Sequence, residues 1–100
     1  MAGGYIYLMT NLSRRPIYCG VTNDLVRRVY AHRERLIPNA YTGKYRLFRL
    51  VYYEVHATMP IAIQREKNIK HWSREWKAAL VDEMNPEWRD LWFEVAQSPF

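Results

Sequence analysis

Tyr5, Tyr7 and Tyr18 fall within one short stretch, "YIYLMTNLSRRPIYCG" (residues 5–20), whose turn carries Arg14 and Arg15. A phenol has a pKa of about 10 and needs a nearby cation or metal-bound partner to act as a base near neutral pH. Further on, "TNDLVRRVYAHRERL" sets Arg28 and His32 four residues apart, one turn apart on a helix. The forked donors of Arg suit phosphate oxygens, and His exchanges a proton near pH 7. Glu66 stands among Ala62, Ile69 and Trp72. A carboxylate on an apolar stripe needs a partner, because burying an unpaired charge is costly. That partner is either an arginine or a hard cation such as Mg2+, which one or two carboxylates hold together with water and substrate phosphate. Asn85 precedes Pro86, where it could end a helix. Each residue also has an ordinary reading. The tyrosines could pack a strand, Arg28 could pair with Asp24 or Glu54, and His32 could be a satisfied core residue.

The elements that must position these groups are readable from pattern. Residues 5–10 and 17–21 are apolar and β-branched or aromatic, separated by the polar turn "NLSRRP", and read as an antiparallel hairpin. Strand alternation puts Tyr5 and Tyr7 on one face. Thr22, Asn23 and Asp24 are all N-cap types ahead of a helix whose core stripe is Leu25, Val29 and His32, with Leu36 one turn beyond. Arg28 borders that stripe. "IPNAYTGKY" reads as loop, and 47–55 as a third strand. From Thr58 the pattern is helical to Pro86, with Thr58 as N-cap, Pro60 in the first turn and a break near Ser73. Ala62, Ile69, Trp72, Trp76, Ala79 and Leu80 line its apolar side at helical spacing. "EWRDLWFEV" then packs back on the core. The order β-β-α-β-α-α predicts an α+β fold, a three-stranded, largely antiparallel sheet flanked by helices.

The chain has 100 residues and reads as a single domain, 1–100. Its net charge of +5 is uneven. Residues 1–56 hold nine Lys/Arg against three Asp/Glu, whereas residues 57–100 hold six against seven. A basic half interleaved with tyrosines suits a polyanion. One cysteine, Cys19, excludes an intrachain disulfide and a Cys-based zinc site. No apolar run approaches the ~20 residues needed to cross a bilayer, and the start lacks the features of a secretory signal. A cytoplasmic setting, with no membrane partner, is the expectation.

Joint order lifts these separate signals. "YIY", then "YCG", an Arg ten residues after Tyr18, a His four later and a downstream helical Glu resemble the GIY-YIG nuclease superfamily, in particular its small single-domain bacterial members. The likeness runs from Tyr5 to about Trp92 and is strongest in "YCGVTNDLVRRVYAH". Tyr5 replaces the family's first Gly, and Cys19 its second Ile. The resemblance implies a metal-dependent endonuclease that hydrolyses phosphodiester bonds in DNA, with a place in DNA repair or recombination; its activity is expected to be either of low specificity or structure-selective. It assigns catalytic roles to Tyr7, Tyr18, Arg28, His32 and Glu66. Glu66 would bind one Mg2+ or Mn2+ ion, and Asn85 would support the site. Arg14, Arg15, Arg27 and Lys44 are the expected nucleic-acid contacts, and either Tyr7 or His32 the base. The natural substrate is not legible. A monomer or weak dimer is expected, with a partner protein supplying targeting. Two alternatives belong to other classes: a nucleic-acid-binding module with little or no catalysis, and a docking domain with Trp88 and Trp92 as its patch.

Overall fold

Three runs of β-branched and aromatic residues extend and pair into one antiparallel sheet. The computed structural model describes residues 3–34, 36 and 46–97. The strands are β1 (Gly4–Thr10), β2 (Tyr18–Thr22) and β3 (Arg49–His56), in the order β2-β1-β3. β1 is therefore central, and all seven of its residues are buried. A strand covered on both faces needs no polar alternation, which is why "GYIYLMT" is apolar nearly throughout. The register sets Tyr7 opposite Gly20 on one side and Tyr53 on the other.

Among the described residues, four helices cover the two faces: α1 (Leu25–Arg33), α2 (Met59–Lys70), α3 (Arg74–Met84) and a short α4 (Trp92–Val95). Each of the first three is started by a side chain that accepts from an orphan backbone N–H: Asp24 from Arg27, Thr58 from Ile61 and Ser73 from Trp76. The two-residue period of β1 then divides the core. Tyr5, Tyr7 and Met9 point to a layer with Leu25 and Val29 of α1 and Val95 of α4. Ile6 and Leu8 point to the opposite layer, with Ala62 and Ile69 of α2 and Val81 of α3.

The α+β architecture and the helix break at Ser73 agree with the sequence reading. The strands lie one residue later (β2) or begin two and end one later (β3) than pattern placed them. The apolar stripe is corrected. Trp76 and Ala79 are exposed, and Val81 is the buried residue of α3. A single 3.6-residue period does not carry across the break, because Ser73 restarts the helix with a new phase. Leu36 is likewise exposed, since α1 ends at Arg33. Trp88 does not form a docking patch with Trp92. It is buried, and its indole Nε1 donates to Asp82 Oδ1 at 2.7 Å.

Candidate active site

Tyr7 lies on the middle strand with its side chain toward α1. The phenol is 2 % exposed, and its oxygen stands 3.0 Å from Nε2 of His32. Gly20, opposite Tyr7, makes this reach available. A Cβ built on Gly20 would fall 2.3 Å from both Cζ and Oη of Tyr7. The glycine of "YCG" therefore leaves room for the tyrosine of "YIY" to cross the neighbouring strand. Tyr18, at the start of edge strand β2, completes a cluster of three rings. Its centroid is 6.2 Å from Tyr7 and 5.6 Å from His32, edge-on to the imidazole.

Arg28 sits one helical turn before His32. It is exposed and makes no ion pair among the described residues. Neither of its ordinary partners is engaged with it. Asp24 caps α1, and Glu54 accepts from Tyr52, His56 and Arg65. Arg28 instead lines a cleft of about 460 Å3 with Thr22, Asn23, Asp24, Arg27 and Ala31. Its charge reaches both inner groups. Burial pushes the Tyr7 phenol above its ordinary range, with Tyr18 adding to the rise and Arg28 opposing it. Burial and then Arg28 lower His32 to about 4. At neutral pH the pair is thus a neutral phenol beside a neutral imidazole, a geometry suited to passing a proton between them.

Glu66 belongs to α2, on the other face of the sheet, but α2 runs beside β1 and the edge strand β2. The carboxylate, 12 % exposed as a side chain, pairs with Lys70 Nζ at 3.0 Å. Its partner is lysine rather than the expected arginine, because Lys70 is one turn along the same helix. Glu66 and Lys70 both act on the Cys19 thiol, which burial and then Glu66 push up to about 12. Lys70 is also within electrostatic reach of Tyr18. Tyr18, at the start of β2, therefore links the Tyr7–His32 pair on one face to the Glu66–Lys70 pair on the other. Among the described residues no three His, Cys, Asp or Glu side chains stand together as a metal site. Glu66 fits a cation held by a single carboxylate, its remaining ligands coming from water and a substrate phosphate.

The other candidates divide. Arg15 and Arg27 are exposed beside this edge and in the cleft. Arg14 is partly committed to the fold, its Nη2 donating to the Glu87 carbonyl at 2.9 Å and its guanidinium 5.7 Å over Trp88. Lys44 lies outside the described residues. Asn85 is buried at the C-terminal end of α3. Its Nδ2 donates to the carbonyls of Val51 and Arg89, and its Oδ1 accepts from Arg89 N–H. It fixes the turn that delivers Asp90, whose carboxylate accepts from Arg33 of α1, Leu50 N–H and Trp92 N–H. That anchor on α1 was not found from sequence, since Arg33 and Asp90 are 57 positions apart. Lys70 was also missed, although its i, i+4 spacing from Glu66 was a usable signal.

Comparison with known proteins bears on the family of the chain. The family model for the GIY-YIG catalytic domain matches residues 3–79. A UPF0213 protein of Bacillus pumilus (strain SAFR-032) is 37% identical over 71 residues, 71% of each chain. One of Syntrophus aciditrophicus (strain SB) is 30% identical over 87% of this chain and 98% of its own. One of Haloquadratum walsbyi is 37% identical over 79% of this chain and 86% of its own. No solved structure matches the chain significantly. The described residues include no helix long and apolar enough to cross a membrane.

Proposed function

The chain belongs to the GIY-YIG catalytic-domain family, whose activity is of nuclease type, and from that premise we propose that it is an endonuclease hydrolysing phosphodiester bonds in DNA with a divalent metal ion. The observation that carries the reading is the buried Tyr7–His32 hydrogen bond beside Arg28, an arginine with no ion pair among the described residues. Hydrolysis needs an attacking water, a place for its proton and stabilisation of the charge that builds on phosphorus.

In this reading the scissile phosphate sits between Arg28 and Glu66, over the Tyr18 edge. Arg28 donates to the non-bridging oxygens. Its negative partner, the phosphate, offsets the effect of Arg28 on His32 and brings the imidazole back toward its ordinary range. Water then attacks phosphorus while its proton passes to Tyr7 Oη. The Tyr7 proton passes to His32 Nε2, the phosphorus–oxygen bond to the leaving strand breaks, and the departing oxygen takes a proton from solvent while His32 returns its own to solvent. Tyr18 packs the relay and limits water to one side. Glu66 would hold Mg2+ or Mn2+, which supplies further neutralisation of the phosphate. Lys70, which pairs with Glu66 in the structure, would then be available to a flanking phosphate.

Resting protonation favours a second reading, a nucleic-acid-binding module with little catalysis, because neither the buried phenol nor the low-pKa imidazole is a strong base before substrate binds. The two separate in a cleavage assay on plain, branched and single-stranded DNA and on RNA, with Mg2+, Mn2+ or chelator. Metal-dependent cutting of DNA is expected. Tight, salt-sensitive binding with no cutting on any substrate would select the binder.

A further inference from the structure

Outside the phenol cluster, two described aromatic residues are more than half exposed, Phe93 and Trp76. Trp76, in the first turn of α3, is 64 % exposed. A lone exposed apolar side chain is ordinary, but this one is buttressed in series. The Glu54 carboxylate receives Arg65 through Nε at 3.1 Å and Nη2 at 2.9 Å. The Arg65 guanidinium lies 5.1 Å over the Trp72 ring. Trp72 meets Trp76 edge-on, at 5.8 Å and 78°. Such a stack sets the orientation of the outermost indole and leaves it open to solvent.

The surroundings of Trp76 are basic. Residues 65–77 hold five Lys/Arg and two Asp/Glu, although the second half of the chain as a whole carries a slight acidic excess. Arg74, two residues before Trp76, donates to the backbone carbonyls of Arg14 and Arg15. This joins the start of α3 to the basic β1–β2 turn. Lys70 and Lys77 both reach Cys19 on β2, the strand that begins with Tyr18. Trp76 therefore stands on a cationic surface that continues from the hairpin turn past the Glu66–Lys70 pair.

We propose that Trp76 is a stacking platform for an unpaired nucleobase of the strand whose backbone runs through the site, so that the substrate is nucleic acid with single-stranded or frayed nucleotides beside the cut. An indole face takes any base but only one that has left its own stack, and the flanking cations suit the phosphates on either side. A protein partner or a second copy of this chain would be served as well by the apolar ring but would have less use for the cations around it. The inference rests on the nuclease reading for its location, though not for its measurement.

The test is binding of a fluorescent single-stranded oligodeoxynucleotide and of the matching blunt duplex to full-length protein in chelator, alongside cleavage in Mg2+. Trp76→Ala is expected to weaken single-strand binding about fivefold to a hundredfold and to leave blunt-duplex binding within about twofold. Trp76→Phe should retain most of the affinity. Tryptophan fluorescence should be quenched by the single strand in the parent and less so in Trp76→Ala. Equal affinities of parent and Trp76→Ala for both ligands would overturn the inference while leaving the nuclease reading intact. So would a change of oligomeric state on Trp76→Ala with unchanged binding, which would assign the face to protein. A Trp76-dependent single-strand affinity with no cleavage would keep the platform and remove the nuclease reading.

Discussion

The imidazole of His32 meets the phenol of Tyr7 at hydrogen-bond distance, and both are displaced from their ordinary titration by burial, with Arg28 lowering the former further. A pH dependence follows from the His32 displacement. Folded His32 titrates near 4 and an unfolded histidine near 6.5. Between those values the unfolded chain binds the additional proton, so stability is full above about pH 6.5 and declines as pH falls toward 4. His32→Gln should flatten that limb in urea titrations run across the range. Arg28→Ala should move the His32 titration upward in NMR, because it removes the second of the two depressing influences. Gly20→Ala makes a sharper prediction about geometry. It deletes no functional group, yet its methyl would overlap the Tyr7 phenol. Cleavage is expected to fall at least tenfold, with a loss of about 1–3 kcal/mol in denaturant unfolding. Parent-like activity in Gly20→Ala would show that the phenol position is not what the chemistry needs.

Local pattern carried most of the elements and only part of their meaning. Thr58 was legible as a cap, and Asp24 as one of three candidates, because the side-chain acceptor and its N–H lie within three residues of each other; at Ser73 the break was legible and the cap was not. The burial of Leu25, Val29 and Ile69 followed from periodicity, which is likewise local. Trp76 was misplaced because a period holds only within an unbroken helix. The order of strands and the Arg33–Asp90 anchor are long-range matters of topology, and nothing in the spacing announces them. Tyr7, Tyr18, Arg28, His32 and Glu66 were singled out by joint order, yet the room left by Gly20 and the role of Lys70 needed coordinates. Two element-level outcomes test this account. Ser73→Ala should cost about 1 kcal/mol by loss of the α3 cap, lowering Tm by several degrees without a change in cleavage. Asp90→Ala leaves Arg33 and two backbone N–H groups without their acceptor. It should cost more, about 2–4 kcal/mol, and reduce cleavage as well, since α1 carries Arg28.

At the scale of the molecule, the sheet acts as a partition with functional groups on both faces and one edge where they can meet. Tyr7, Arg28 and His32 belong to the α1 side, Glu66 and Lys70 to the α2 side, and Tyr18 stands at the β2 edge between them. Nucleic acid passing over that edge would meet Arg15, exposed in the hairpin turn. Arg15→Ala should reduce the slope of log affinity against log salt by about 0.9, one phosphate contact on duplex DNA. Arg14→Ala should lower stability too, because Arg14 also braces Glu87 and Trp88. The central claim is that the exposed charge of Arg28 stabilises a phosphodiester transition state beside the Tyr7–His32 pair. It is tested most directly by the single-turnover cleavage rate of Arg28→Ala against the parent, on one DNA substrate in Mg2+, with folding checked by circular dichroism. A fall of about a hundredfold or more in a folded variant is the predicted result. A folded Arg28→Ala protein that cuts at the parent rate would contradict it.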